Sequence, residues 1–153
     1  MNSVMRVRVH APLERIFRLA ADVERWPEIL PHYRYVRPVP DPNGERRFAM
    51  GARRGPIPVR WEAIQRPLRD EARIEFEHTG GVTRGMLVAW RFEPAPGEEK
   101  DAAIDVSIEH RLRLGWPLIG GIVADHVVGP QFIDAIAGRT LRRVKALAEA
   151  GGA

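Results

Sequence analysis

The chain contains no cysteine, and this absence excludes several kinds of chemistry. Without thiols there is no cysteine nucleophile, no cysteine-based zinc site and no disulfide framework. Serine is almost as rare, since Ser3 and Ser107 are the only two, and the chain has two lysines, Lys100 and Lys145. A serine hydrolase or a Schiff-base enzyme is therefore disfavoured, because each depends on one of these residues as its nucleophile.

Long hydrophobic runs are also missing. The chain reaches Arg6 and Arg8 before an apolar run can form, so no secretion signal is visible. The longest apolar stretch, residues 116–124, is far shorter than the roughly 20 residues of a membrane-spanning helix. We therefore expect a cytoplasmic protein.

The composition is that of a globular protein. Of the 153 residues, 44% are hydrophobic and 29% are charged. A chain of this size buries roughly two-thirds of the surface that its unfolded form exposes, so it needs no metal or disulfide to stay folded. We expect one domain that covers residues 1–153.

The net charge is +4, and nearly all of the basic residues are arginines. Residues 46–61 contain no acid and five arginines: Arg46, Arg47, Arg53, Arg54 and Arg60. Such a stretch is typical of an exposed hairpin at the edge of a sheet, where charged side chains prevent pairing with the strands of another molecule. Alternatively, it is a docking patch for an acidic carrier protein or an anionic membrane surface. Nucleic acid is the weakest candidate, because no aromatic residues interleave with the arginines.

Hydrophobic periodicity predicts the order of elements. Alternation predicts a strand at 4–10, and Ala11-Pro12 then opens a helix that a second short helix follows, ending at Pro31. Six more strands are predicted at 33–39, 46–54, 57–65, 72–79, 83–92 and 103–113. The chain ends in a long helical segment from residue 117, which Gly129-Pro130 interrupts.

This order predicts an α+β fold, in which a seven-stranded antiparallel curved sheet wraps around the long C-terminal helix. A single sheet must cover its apolar face, and only the last helix is long enough to do so. A curved sheet and one helix do not close perfectly, so a ligand cavity is expected between them.

Strand parity predicts which side chains face that helix. The inward positions form a large wall that is apolar and rich in methionine and aromatic rings, with His78 and His110 as its polar points. This wall is either a plain core or the lining of a cavity, and seven strands offer more inward surface than one kinked helix can fill. The predicted ligand-binding residues are Trp26, Phe48, Met50, Phe76, His78, Met86, Val88, Trp90, Val106, Ile108, His110, Phe132 and Ile136.

Metal and cofactor motifs are not found. The five histidines lack the short spacings that place two ligands on one face of an element. Gly80-Gly81 and Gly120-Gly121 lack the spacing of a phosphate-binding loop. We expect no metal and no cofactor.

Two runs in the N-terminal third carry a family resemblance. The runs 9–17 and 21–31 (VHAPLERIF and ADVERWPEILP) resemble the opening of the START-like helix-grip (SRPBCC) superfamily. The likeness continues through 61–66, 85–94 and the final helix. Within the superfamily the chain is most similar to the polyketide cyclase/dehydrase group and the related coenzyme Q-binding proteins.

The resemblance implies a deep apolar pocket between the sheet and the long helix. In aromatase/cyclase members the pocket holds a poly-β-ketone that an acidic carrier protein delivers, and it guides ring closure and loss of water. In lipid-binding members it carries a lipid or an isoprenoid quinone without any reaction. Fold alone does not decide between these activities.

The resemblance also assigns two catalytic residues. Tyr33 matches a tyrosine that takes part in proton transfer, and Arg66 matches an arginine that orients or polarises the polyketide. The parity of its strand complicates the second assignment, because the apolar residues Val59, Trp61 and Ala63 alternate with Arg66. Either a bulge changes the face, or Arg66 points outward.

Three functions follow from these observations. The first is an aromatase/cyclase-like enzyme, which the matches at Tyr33 and Arg66 favour. The second is a non-catalytic carrier of a lipid or quinone, which the apolar wall and the scarcity of nucleophiles favour. The third is a partner-binding module whose cavity is vestigial.

Overall fold

The computed structural model describes residues 2–81, 83–99, 102–112 and 130–151, with the side chains of 130–132 left out. Seven strands form one antiparallel sheet in the order β1-β7-β6-β5-β4-β3-β2. They are β1 (Asn2–Val9), β2 (Tyr33–Val39), β3 (Arg46–Arg54), β4 (Ile57–Leu68), β5 (Arg73–Gly81), β6 (Met86–Pro94) and β7 (Ile104–Leu112). Because β1 pairs with β7, the segment between β1 and β2 has to join the two edges of the sheet.

Short helices make that connection. They are α1 (Leu13–Ala21), a 3₁₀ turn (Val23–Arg25) and α2 (Trp26–Ile29). Pro12 precedes α1, and its carbonyl oxygen accepts the first helical hydrogen bond, from the amide of Ile16 at 3.3 Å. Proline suits this position because its fixed φ fits the start of a helix and its missing N–H would have no helical partner there.

The last helix, α3 (Pro130–Glu149), covers one face of the sheet. Its buried residues recur at three and four: Ile133, Ala137, Leu141, Val144 and Ala148. A stripe at this spacing lies on one face of the helix, which packs against the sheet and against α1. Asp134 accepts a hydrogen bond from Ser3, which ties the start of α3 to β1.

The predicted α+β architecture, a seven-stranded antiparallel sheet with a long C-terminal helix, is confirmed. The alternation of apolar and polar residues along the strands also matches the burial of their side chains. In β7 the residues Ile104, Val106, Ile108 and His110 are buried, while those between them are partly exposed. Strand ends differ by a few residues, since β4 continues to Leu68 and Thr83 lies in a turn. The apolar helix predicted from residue 117 to the break at Gly129 lies outside the described residues. Among the described helices, none is long and apolar enough to cross a membrane.

Candidate functional site: a cavity between the sheet and helix α3

The concave face of the sheet and α3 enclose a cavity. The volume that the centre of a water molecule can reach inside it is about 80 Å³. The total empty volume between the walls, which includes the open mouth, is about 650 Å³. The described lining residues are Trp26, Tyr33, Met50, Val59, Trp61, Phe76, His78, Thr83, Met86, Val88, Trp90, Ile108, His110, Ile133, Ile136, Ala137 and Thr140. One water molecule needs roughly 10–15 Å³ by the same measure, so the interior has room for a small guest.

Strand pairing explains which residues reach this cavity. In β3 and β4, Met50 lies opposite Trp61 and Ala52 lies opposite Val59, so these side chains share the inner face. The register between β4 and β5 shifts beside Glu62, and Thr79 is the extra residue on β5. Gly81 follows with φ +88°, and a Cβ there would lie 2.5 Å from the carbonyl oxygen of Arg60. The bulge therefore lies in β5, and β4 keeps its alternation.

Aromatic rings form much of the wall. The ring of Trp26 lies 5.0 Å from Tyr33, 6.1 Å from Phe76 and 6.0 Å from Trp90, centroid to centroid. Trp61 stacks on His78 at 5.8 Å with an interplanar angle of 8°. Offset and edge-to-face pairs at these separations are favourable, and they hold the rings in place.

One polar group of the wall centres on Thr140. Its hydroxyl donates to the carbonyl oxygen of Ile136 at 2.9 Å and lies 2.9 Å from Nε2 of His32. Tyr33 lines the cavity together with Thr140, and burial raises the pKa of its phenol against a smaller opposing effect of Thr140. Tyr33 therefore stays protonated at neutral pH and serves as a neutral hydrogen-bond donor.

A second polar group contains His78 and His110. Nδ1 of His78 lies 2.5 Å from Oγ1 of Thr83, whereas the buried Nδ1 of His110 has no hydrogen-bond partner in the described part of the chain. Burial lowers the pKa of His78 to about 3, with a further contribution from His110. Burial also lowers the pKa of His110 to about 4, against an opposing effect of Asp134. Both rings are neutral at pH 7.

These two histidines make the fold sensitive to mild acid. Their folded pKa values lie below the unfolded value of about 6.5, so the unfolded chain binds protons first and stability falls as pH drops below 6.5. We expect the free energy of unfolding to fall between pH 6.5 and 5 by up to about 1.4 kcal/mol per pH unit for each histidine. Urea denaturation across this range measures the slope.

His78→Gln is the matching variant, because it removes one of three titrating rings: burial also lowers the pKa of His32 to about 4, with a further contribution from Arg139. The slope of this variant between pH 6.5 and 5 should be about two-thirds that of the wild type, whatever its stability at pH 7. A wild-type stability that stays constant across this range would contradict the burial of neutral histidines.

Most of the predicted ligand-binding residues lie on the cavity wall. Trp26, Met50, Phe76, His78, Met86, Val88, Trp90, Ile108, His110 and Ile136 line it, as does Tyr33. Phe48 and Val106 are buried in the core but are not among the lining residues. The side chain of Phe132 lies outside the described residues. The lining residues that the prediction missed are Val59, Trp61, Thr83, Ile133, Ala137 and Thr140.

Arg66 lies on the outer face of the sheet. Its Nε is 3.0 Å from a carboxylate oxygen of Glu45, and its Nη1 is 3.5 Å from one of Glu77. Because β4 keeps its alternation, the guanidinium points away from the cavity and does not line it. The implied contact between Arg66 and a ligand in the cavity is therefore wrong for this structure, and the outward alternative describes it.

Removal of this side chain should consequently leave the cavity intact. Arg66→Ala is expected to cost at most about 1 kcal/mol of stability, because its ion pairs are partly exposed and screened. Ligand affinity should equal that of the wild type, as a fluorescence titration of both proteins would measure. A loss of affinity of tenfold or more would place Arg66 in contact with the ligand after all.

The basic stretch divides into two parts. Arg47 lies 2.7 Å from a carboxylate oxygen of Asp41 and 3.3 Å from one of Glu62. Arg46 donates to Gln65 at 3.0 Å and lies over the ring of Phe48. These two arginines are held by their own neighbours. The other three, Arg53, Arg54 and Arg60, lie near the turn between β3 and β4.

Within the described ranges, no group of three or more histidine, cysteine, aspartate or glutamate side chains is placed to hold a metal ion.

Comparison with known proteins identifies one family, and many solved structures are similar to this one. The family model for polyketide cyclase / dehydrase and lipid transport matches residues 9–126. No curated protein matches the chain.

Three solved structures illustrate the shared fold. The di-domain ARO/CYC StfQ from the steffimycin biosynthetic pathway superposes with a TM-score of 0.74 at 18% identity, covering 97% of this chain and 45% of StfQ. The Zhui aromatase/cyclase from Streptomyces sp. R1128 gives 0.71 at 17% identity over 100% of this chain and 99% of that one. A START superfamily protein from Mycobacterium smegmatis gives 0.72 at 12% identity over 97% of both chains. The START-like fold is thereby confirmed.

Proposed function

Because the chain belongs to the polyketide cyclase/dehydrase and lipid transport family, we propose that its cavity binds a neutral hydrophobic molecule of the polyketide or quinone type. The observation that carries this proposal is the chemistry of the wall. The described lining residues are apolar or aromatic except for Tyr33, Thr83, Thr140 and two neutral histidines, and none of them is ionised at pH 7.

The chemistry of the wall favours an uncharged ligand. A charged group placed in the cavity would lose its hydration without meeting an opposite charge, which is costly. A ketone or hydroxyl group, in contrast, can form a hydrogen bond with Tyr33 or with Nδ1 of His110, which has no partner among the described residues. Flat conjugated rings can also stack between the indoles of the wall. Neutral rings that carry oxygen atoms therefore suit the cavity better than fatty acid anions.

Tryptophan fluorescence provides a direct test. Trp26, Trp61 and Trp90, three of the four tryptophans in the chain, line the cavity. Titration with a neutral naphthoquinone should quench their emission along a saturable curve, whereas a fatty acid of similar size should compete weakly at pH 7. Quenching that rises linearly with quinone, as it does for free tryptophan, would contradict the proposal.

A second candidate function is catalysis of polyketide ring closure, which the group of Tyr33, Thr140 and His32 favours. In an aldol closure, a base removes a proton from a methylene between two carbonyls, and that carbon forms a bond to a ketone carbon. The C=O π bond of that ketone opens and its oxygen takes up a proton. Water later leaves as the C–O bond breaks and the adjacent carbon gives up its remaining proton, which forms a C=C bond. The neutral phenol of Tyr33 can donate to the ketone oxygen, and a neutral imidazole of the wall can accept the methylene proton.

The two candidates differ in what Tyr33→Phe changes. If the protein is a cyclase, wild-type protein alters the product pattern of a minimal polyketide synthase, and Tyr33→Phe loses this effect while it still binds naphthoquinone. If it is only a carrier, the product pattern is unaffected by either protein.

A further inference from the structure

The turn between β3 and β4 combines positive charge with an exposed apolar side chain. Residues 53–60, here called the hairpin tip, contain no acid and three arginines: Arg53, Arg54 and Arg60. Ile57 lies in the tip with 41% of its surface exposed, and the prolines on either side of it are exposed too. An exposed apolar side chain at the end of a hairpin loses contact with water only when a partner covers it.

Two of the three arginines of the tip, Arg53 and Arg60, are exposed to solvent. Arg47, farther along β3, is held by the carboxylates of Asp41 and Glu62. In the part of the chain that the structure describes, neither Arg53 nor Arg60 forms an ion pair with an acid, and both are exposed. An anionic partner would therefore meet these guanidinium groups without displacing an internal carboxylate.

We propose that the hairpin tip docks the protein on an anionic lipid surface. Ile57 enters the boundary between headgroups and acyl chains, and Arg53 and Arg60 bind lipid phosphates. Surfaces that bind in this way combine apolar residues with basic ones, and each basic residue adds attraction to anionic lipid. The apolar Ile57 between the arginines favours a membrane over an acidic protein, whose carboxylates would engage the arginines alone.

The position of the tip links docking to the cavity. Val59 belongs to the tip, and its side chain lines the cavity. A docked protein therefore holds one wall of its cavity beside the lipid, so that a hydrophobic ligand can enter without crossing water. This route rests on the proposed function, whereas docking itself does not.

Sedimentation with lipid vesicles tests the docking. Wild-type protein should bind vesicles in which about a third of the lipid is phosphatidylglycerol, much more than vesicles of phosphatidylcholine, and salt should weaken this binding. Each arginine contributes about fivefold at low ionic strength, so Arg53→Glu with Arg60→Glu should lower the partition coefficient by about 25-fold or more. Ile57→Ser should lower it by about tenfold.

Two matched controls distinguish the effect of the hairpin tip from the effect of net charge and from that of exposed apolar side chains in general. Arg139→Glu with Arg142→Glu makes the same charge change on the exposed face of α3, and Leu87→Ser removes an apolar side chain that is 38% exposed on β6. Both should bind vesicles like the wild type. Equal losses in these controls would overturn the proposal, as would the same binding to both kinds of vesicle or no binding to either.

Folding and cavity binding are checked on the same proteins. If the double glutamate variant does not fold, Arg53→Gln with Arg60→Gln should still lower the partition coefficient by about 25-fold. The tip variants should keep saturable quenching by naphthoquinone. Failure of docking can therefore be told apart from failure of the proposed function.

Discussion

Ala137→Phe is expected to abolish binding of a naphthoquinone, with a loss of affinity of about 100-fold or more. Ala137 lies on α3 in the cavity wall and is 5% exposed, so a phenyl ring at this position enters the space that a ligand would occupy. The fold should tolerate the change, because the ring fills an existing hollow rather than a packed core, where overpacking costs about 1–3 kcal/mol. Tryptophan quenching measures the affinity, and urea denaturation measures the stability.

Ala146→Phe is the matched control, since Ala146 lies on the same helix but is exposed. This variant should bind naphthoquinone with wild-type affinity. Full binding by Ala137→Phe would show that the ligand occupies a different place. Equal losses in both variants would show that the helix, and not the cavity, is responsible.

Trp26→Ala is expected to lower the free energy of unfolding by about 3–5 kcal/mol. The indole is 3% exposed, and its Nε1 donates to the carbonyl oxygen of Leu19 at 3.1 Å. It also contacts the rings of Tyr33, Phe76 and Trp90, so truncation removes packing on several sides and leaves an acceptor unpaired. Such a loss is a large part of the 5–15 kcal/mol that stabilises a typical domain.

Trp26→Phe gives the graded comparison. It keeps an aromatic ring but loses the hydrogen bond to Leu19, so its cost should lie well below that of Trp26→Ala. Urea unfolding curves at pH 7 measure both variants. A loss below about 1 kcal/mol for Trp26→Ala would contradict the role of this indole as the packing centre of the site.

The inner wall could be predicted because strands leave a strong pattern in sequence. In β5 and β7, polar and apolar residues alternate, and burial follows that alternation at Phe76, His78, Ile108 and His110. The short helices before residue 31 could also be predicted, because the family motif and the prolines mark them. Local patterns of this kind depend only on neighbours in the chain.

The threonines of the site leave no such pattern. Thr140 sits in a helix, and it meets His32 from 108 positions away in the chain. Thr83 reaches His78 from a turn rather than from a strand. Contacts between distant segments depend on how the elements pack, which a pattern within one element does not specify.

Arg66 shows the opposite case, in which a resemblance and a local pattern disagree. The resemblance placed this residue in the pocket, whereas the alternation of Val59, Trp61 and Ala63 placed it outside. The structure follows the alternation, because the bulge lies in β5 at Thr79 and not in β4. The same alternation brings Val59 and Trp61 to the cavity wall.

Methyl NMR during a titration with the neutral naphthoquinone tests most directly whether the cavity between the sheet and α3 binds a ligand. We expect saturable shifts for the methyl groups of Met86, Ile108 and Ile136, which line the cavity, and constant signals for the exposed Val4 and Leu87. Shifts confined to the exposed methyl groups, with the cavity signals unchanged at saturation, would contradict it.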